Sequence, residues 1–566
     1  MKIKHLFGLA VIAAMTASCS SNEDLGTAGP GTGTNESGVG YATFTINLPT
    51  TSGTRAGDPT FEAGDPKEYD VNDATLLIFK EAGSSENDYT FVESVNLGSM
   101  APWKDPSETG VTTHAKITAK LNKINTTDKF YALVLLNNGT ESSKKVDLPD
   151  DNQTFSAWNE AKVTDKIANT DAGFYMANAP LYKANKVTTL VPIESTKIYP
   201  TEAQAASNPS TDIYVERGLA KVTVTSASKA TKTIADGTYK DDKVTIQNWG
   251  LDVTNKKSFP VHKTDGTGYD DIWSNTATPS GTNNATTLRF VDNNTTTVAK
   301  RVYWGVDPNY NIAKLNAETT AGKKERTDNF NYVGKDKLTA TTSEAQYCLE
   351  NTFNLDNMMQ GQTTRVVFKA KYVPKGFTEG ATFYMVGKNT AIWTEDNLKD
   401  EIVAAVTKVV PSATTANTTV DLANTENDIT KAGNHLLALS NISVTGVTLD
   451  QTNIDAINTK LGLKDGEGIS TYQDAEAYYI ARVKHFGVLT PWKAGQSYGT
   501  DNLSFLGRYG VLRNNWYELT VDKVSGPGYP DVPEVKPNVP DDENFKYLSV
   551  SVKILSWAKW SHSYDL

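Results

Sequence analysis

Runs in which apolar and polar residues alternate one for one recur along this chain, and a period of two commits a segment to a pleated strand. In "YATFTINLP" (41–49), Ala42, Phe44, Ile46 and Leu48 alternate with Tyr41, Thr43, Thr45 and Asn47, which predicts a strand with one buried face. Near the other end, in "KYLSVSVKILS" (546–556), Leu548, Val550, Val552 and Ile554 alternate with Tyr547, Ser549, Ser551 and Lys553. Between them, "ATLLIFKEA" (74–82) and "KFYALVLLNNG" (129–139) read as strands too apolar for either face to meet water. The stretches "IYVERGLAKVTVTSA", "KVTIQNWGLDVT", "RVYWGV", "TTRVVFKAKYV", "YYIARVKHFG" and "NWYELTVDKV" read as strands as well. Two segments break the pattern. "TEDNLKDEIVAAVTKVV" sets Leu398, Ile402, Val406 and Val410 at spacing four behind a Thr394 cap, and "LDQTNIDAINTKLG" sets out Ile454, Ile457 and Leu461, so each predicts a short amphipathic helix.

A chain of 566 residues is too long for one ordinary core. With 38% hydrophobic and 21% charged residues it is globular rather than disordered, and the absence of an internal repeat argues against propellers and solenoids. Residues 197–212 are mostly polar, with Pro200 and Pro209, and make the expected domain boundary. The formal charge is -11, and residues 1–55 carry three bases and three acids, so their removal leaves it unchanged. Nucleic acid is therefore an unsuitable partner.

The two cysteines sit in different settings. Cys19 ends "MKIKHLFGLAVIAAMTASC", in which two lysines, an apolar run from Leu6 to Met15 and small residues have the layout of a secretory signal. The apolar run is too short to span a bilayer stably. "TASC" resembles a bacterial lipoprotein signal, which implies a lipidated Cys19 as the new N-terminus; an ordinary signal cleaved nearby is the other reading. With Cys19 lipidated, Cys348 has no partner and the fold must rest on its cores. A Gly/Ser/Asn-rich tether follows Cys19.

Residues 525–544, "SGPGYPDVPEVKPNVPDDEN", hold five prolines and an acidic bias, which predicts an extended spacer rather than packed structure. Beyond it comes the last strand, with no sequel to pair with. Such a strand either folds back on its own sheet or adds to that of a neighbouring molecule. The first strand supplies a matching vacancy. It precedes "TTSGTRAGDP", where Arg55 is the sole Lys or Arg between Lys4 and Lys67, a single site for a trypsin-like protease. Loss of that strand would open a groove for three or four apolar side chains at period two, and Leu548, Val550, Val552 and Ile554 number four. At about 1.5–3 kcal/mol each, their burial gives on the order of 6–12 kcal/mol before ordering costs.

"SGTRAGDP", "YVERGLAKV", "YCLENTF", "VLRNNWYELTV" and the ending "SVKILSWAKWSHSYDL" together resemble the major stalk subunits of Bacteroidales type V pili, the short-fimbria fimbrillins. The resemblance runs in order over nearly the whole chain except 264–284 and 395–468. It implies a mainly β fold: two transthyretin-like β-sandwich domains, a few short helices and a C-terminal donor-strand arm. The expected parts are a lipoprotein signal at 1–19, a tether and removable first strand at 20–55, domains at 56–212 and 213–524, and a spacer and donor arm at 525–566. It further implies an outer-membrane lipoprotein precursor cut between Arg55 and Ala56 by an arginine-specific protease. Polymerisation would then follow by strand exchange: residues Phe44, Ile46 and Leu48 leave with the removable strand, and the donor strand of another copy arrives. The implied partners are other copies, tip and anchor subunits, and a host protein or glycan. The implied setting is a surface fimbrium that supports adhesion and biofilm formation. A chain carrying both cleavage site and donor strand reads as stalk.

Enzyme chemistry finds little footing. "GQSYG" (495–499) fits G-x-S-x-G, but Pro491 interrupts its lead-in, no helical period follows, and the only later histidine is His562. His114, His262, His435 and His485 are isolated in the sequence, no cysteine pair suits zinc, and the acidic loops lack the calcium-loop order, so no metal or cofactor is expected. Trp273, Trp304, Trp393 and Trp492 could stack on sugars, although burial is the commoner use of tryptophan. They keep open an alternative: a monomeric, surface-anchored glycan-binding lipoprotein.

Overall fold

A computed structural model describes residues 31–49, 65–100, 111–140, 142–183, 186–265, 300–302, 304–485, 507–541 and 547–556. Within them the chain is mainly β, with a few short helices. Cys19, Arg55, Ala56, Trp273, Trp492 and the segment 495–499 lie outside the described residues.

The first half contains β1 (Gly40–Pro49), β2 (Val71–Lys80), β3 (Thr90–Met100), β4 (Val111–Leu121), β5 (Phe130–Leu136), β6 (Met176–Asn178) and β7 (Thr211–Arg217). Their order is β3-β2-β5-β6-β7-β1-β4, with the short strand Val191–Ile193 beside β5. β7 turns the corner between two layers: Thr211 to Tyr214 pair with β1, and Val215 to Arg217 pair with β6. One core lies between the layers, with Ala42, Phe44 and Ile46 from β1 meeting residues of β2, β4 and β5. Leu76, Leu77, Ile78 and Phe79 are all buried, so β2 is covered on both faces, as its unbroken apolar run requires.

β7 spans the expected 212/213 boundary and stays with the first half; the passage to the second half comes at Gly218. There β8 (Leu219–Val224), β9 (Lys243–Asp252), β10 (Ala345–Leu349), β11 (Arg365–Val373), β12 (Glu476–Arg482), β13 (Asn515–Val524) and β14 (Leu548–Ser556) build two four-stranded sheets. One runs β10-β8-β13-β14; the other runs from the short strand Lys232–Thr233 through β9 and β11 to β12. Val222, Trp249, Phe368, Tyr479 and Leu519 pack between them. Of "RVYWGV" (301–306), Arg301 lies in the short strand Lys300–Arg301.

Both expected helices are present, as Glu395–Val409 and Gln451–Lys460. Thr394 accepts a hydrogen bond from Asn397 N at the start of the first, and Asp450 from Asn453 N at the start of the second. Leu398, Ile402 and Val406 pack with Ile454 and Ile457 in a separate small core.

Candidate functional site

The two terminal strands occupy unequal places. β1 lies inside its sheet. It pairs antiparallel with β4 from Gly40 opposite Leu121 to Leu48 opposite Thr113, then Pro49 opposite Val111. Its other edge pairs parallel with β7, Phe44 opposite Thr211 to Asn47 opposite Tyr214. Ala42 and Phe44 are fully buried and Ile46 is 4% exposed. The sequence pattern predicts one buried face, yet Thr43 and Asn47 on the other face are buried too. The helix Glu202–Ser207 packs over β1 and β4, and Thr43 Oγ1 lies 2.8 Å from Thr118 Oγ1. At the strand's start, Tyr41 exchanges backbone hydrogen bonds of 2.7 and 2.8 Å with Tyr199. A Cβ on Gly40 would lie 2.7 Å from both Ile124 Cδ1 and Ile198 Cγ2, so a larger residue there would have to displace the two isoleucine side chains. Because β1 is the earliest described strand, its departure would sever no later connection and would part β4 from β7.

β14 is an edge strand. Among the described residues it pairs only with β13, antiparallel, with Ile554 opposite Tyr517, Val552 opposite Leu519, Val550 opposite Val521 and Leu548 opposite Val524. Within one chain, then, the last strand folds back on its own sheet. Val550 is half-buried against the second core. Tyr547, just before the strand, holds a φ of 76°, a left-handed conformation that costs a non-glycine residue roughly 1 kcal/mol or more. Its ring meets Tyr239 edge-on, with centroids 5.7 Å apart.

The proline-rich segment departs from the expected spacer, for residues 525–541 are packed. Tyr529 and Tyr478 of β12 exchange two backbone hydrogen bonds of 2.8 Å. Arg365 Nη2 donates to Pro533 O at 2.8 Å, and Arg482 Nε to Asp541 O at 2.6 Å. Asp541 is fully buried, and its Oδ2 accepts from Thr363 Oγ1 at 2.9 Å. Prolines lack an N–H, so the segment cannot form a full ladder, but its carbonyls and apolar side chains remain available. Composition signals the missing donors and not the docking.

The isolation of His262 in sequence is not isolation in space. It is buried with Nδ1 2.9 Å from Glu216 Oε1 and Nε2 3.3 Å from Glu350 Oε2. Arg513 Nε lies 3.5 Å from Glu350, and Arg301 Nη2 3.7 Å from Glu216. A second buried cluster lies nearby. Glu68, in the first described turn after the Arg55 region, pairs with Lys221 Nζ at 2.8 Å and accepts from the Tyr347 hydroxyl. The Glu68 carbonyl accepts from Arg217 Nε at 2.7 Å. Burial pushes Arg217 down to about 10, and burial, then Glu68, pushes the Tyr347 hydroxyl up. These charges bind the two halves together beside Gly218. Their signal was legible in "YVERGLAKV", where Glu216, Arg217 and Lys221 interrupt an otherwise apolar strand pair.

Other candidates resolve into packing. Cys348 is buried and its thiol pushed up to about 12 by burial, which disfavours the reactive thiolate. Tyr517 Oη lies 2.7 Å from His485 Nδ1, and His435 Nε2 lies 2.8 Å from Lys431 O. Among the described residues no cluster of His, Cys, Asp or Glu could hold a metal. Trp304 is fully buried and so closed to a sugar, whereas Trp393 is half-buried. Among the charges that line an open cavity of about 1090 Å³ beside the proline-rich segment, Arg365 pairs with Asp252, Lys335 with Asp531, and Arg326 donates to the Leu315 and Ala317 carbonyls.

Among curated proteins none matches this chain. Solved structures similar over most of its length include a candidate cell adhesion protein of Parabacteroides distasonis, at 11% identity, 92% and 98% coverage of the two chains and a TM-score of 0.37. A second, from Bacteroides eggerthii, has 13% identity, coverages of 95% and 99% and a TM-score of 0.34. The C-terminally truncated tip fimbrial protein Mfa3 of Porphyromonas gingivalis has 10% identity, coverages of 92% and 100% and a TM-score of 0.29. Scores this low establish no common fold. Residues 470–563, which carry β12, β13, the packed proline-rich segment and β14, match the family described as "Major fimbrial subunit protein type IV, Fimbrillin, C-terminal", so the C-terminal region of this chain is similar to that of fimbrillins.

Proposed function

We propose that this chain is a fimbrillin stalk subunit of a cell-surface fimbrium and polymerises by protease-triggered strand exchange. The observation that carries the reading is the asymmetry of the terminal strands: β1 is paired on both edges, and β14 on one. Cleavage after Arg55 would free residues up to 55 as a separate peptide, with β1 among them. β14 of another copy, nine residues against ten, would take its place between β4 and β7. Once β1 has gone, the groove offers β14 two ladders where its resident edge offers one, so a filled groove is the more stable place for the donor. Cutting the chain does not by itself eject β1, because Phe44 and Ile46 alone hold roughly 3–6 kcal/mol of buried apolar contact. The incoming strand therefore displaces β1 progressively, and an assembled fibre resists dissociation because a whole ladder must break at once.

In this reading the precursor is a lipoprotein anchored through Cys19 to the outer membrane. Tip and anchor subunits complete the fibre, and two transthyretin-like sandwiches form its repeating body. Adhesion to a host protein or glycan and support of biofilm belong to the assembled fibre.

The test is the N-terminal residue and mass of protein sheared from cells, read beside an unboiled gel, for the wild type and for Arg55→Ala. An N-terminus at Ala56 with a heat-sensitive ladder, and Arg55→Ala protein that stays monomeric, is the expected result. A lipidated Cys19 on a wild-type monomer would favour the anchored glycan-binding protein instead, and normal fibres from Arg55→Ala would sink the cleavage trigger.

A further inference from the structure

β12 is the last strand of its sheet, and an unpaired strand edge is a template for any other strand that meets it. Such an edge is a particular hazard in a protein that hands strands between copies. Here the edge is covered. The Tyr529 and Tyr478 backbones exchange hydrogen bonds near its start, Tyr472 Oη, four residues before the strand, donates to Gly528 O at 3.0 Å, and the Arg482 side chain at its end donates to Asp541 O. Apolar contacts follow the same path: Tyr529 and Val532 sit on Leu338, Val367 and Tyr478, and Val535 on Val253, Leu315 and Phe330. Positions 529, 532 and 535 recur every three residues, the period of a polyproline helix.

The cover is itself a poor template. Pro527, Pro530, Pro533, Pro537 and Pro540 have no N–H to offer a further strand. Its far end is pinned: Asp541 N donates to Met358 O at 3.1 Å, Gln360 N to Val539 O at 2.8 Å, and the buried Asp541 carboxylate accepts from Thr363. Pro537 rests on Gly361, where a Cβ would lie 2.9 Å from its Cα. Only six residues separate Asp541 from Leu548, about 20 Å at full extension.

We propose that residues 525–541 are a fixed strap that closes the β12 edge to strand addition and roots the arm at Asp541, so that copies join only through the place of β1. The inference rests on the strand-exchange reading. The strap does not travel with the donor strand; the arm beyond Asp541 does.

The experiment uses the full chain carrying Arg55→Ala, with and without Tyr529→Ala, Val532→Ala and Val535→Ala, all partly exposed positions whose truncation spares both main cores. Amide hydrogen exchange at Tyr478 reports the strap, and light scattering reports association. The expected result is at least tenfold faster exchange at Tyr478 together with multimers absent from the Arg55→Ala parent. Faster exchange with a chain that stays monomeric would overturn the guard role. Unchanged exchange would also overturn it, since something other than the strap would then protect the edge. Should the parent itself form fibres, the cleavage reading falls, while the strap is still judged on Tyr478 exchange and on additional, non-fibrous multimers.

Discussion

β1 and β14 are near twins in sequence, each alternating one for one over about the same length, yet they are held very differently. β1 has a neighbour on each side, a helix across its outer face and a glycine start that fits between two isoleucines. β14 has one neighbour, and the residue leading into it is held in a left-handed conformation. A strand's worth is thus set less by its own residues than by the number of edges and faces the fold gives it. A strand moved from the second kind of place into an emptied place of the first kind gains a ladder without any new sequence.

The comparison breaks most completely if β14 is dispensable. Deleting from Lys546 onward is expected to leave a precursor that folds and is cleaved, because β14 is an edge strand with one ladder, but to abolish chain extension on an unboiled gel. Polymers from the truncated chain would place the donor elsewhere. A smaller effect tests which face of the arm is used. Val552→Asp should weaken assembly far more than Ser551→Asp, because a period of two puts only one of the two into the groove and an unpaired buried charge is costly. Equal losses would show the register to be wrong.

The sequence made much of this legible and some of it not. Alternation located β1 and β14, unbroken apolar runs located β2 and β5, and spacing four with a Thr cap located the helix Glu395–Val409, because these patterns are local and repeat within a few residues. The parallel pairing of β1 with β7, some 170 residues apart, has no local signature. Nor has the corner in β7, where one strand serves two layers and carries the first half past the expected boundary to Gly218. The strap was misread because proline content reports absent N–H groups, whereas its docking depends on carbonyls and on Tyr529, Val532 and Val535 finding surfaces made by distant strands. Glu216, Arg217 and Lys221 stand out in the apolar context of "YVERGLAKV", but their partners Glu68 and His262 lie in stretches that carry no such signal.

The unequal holding of the strands is sharpened next by Phe44→Ala. A fully buried phenylalanine in a two-edged strand should cost about 3–5 kcal/mol when truncated. The loss is expected in thermal unfolding of the uncleaved precursor. It should vanish in the fibre, where β1 has gone, so the heat needed to break the ladder on a gel stays at the wild-type value. A fibre weakened by Phe44→Ala would mean that β1 remains in place, and the exchange reading would fail.

The smallest effect concerns the outer face of β1, which its alternation alone would assign to water. Thr43 is 3% exposed, with its hydroxyl 2.8 Å from that of Thr118. Thr43→Val keeps the shape and strand preference of the side chain and removes one partner of the pair, which leaves the half-buried Thr118 hydroxyl to find water or go unpaired. The expected cost is about 1 kcal/mol in the precursor. The double variant with Thr118→Val should recover part of it, since two apolar partners leave no orphaned hydroxyl. In the fibre the logic reverses: Thr118 must meet whatever the donor presents, and Ser549 and Ser551 alternate with the apolar residues of β14 as Thr43 and Thr45 do in β1. Thr118→Val alone should therefore destabilise precursor and fibre by similar amounts, whereas Thr43→Val affects only the precursor. A Thr118→Val fibre as heat-stable as the wild type would show that the donor's serines do not stand where the threonines of β1 stood.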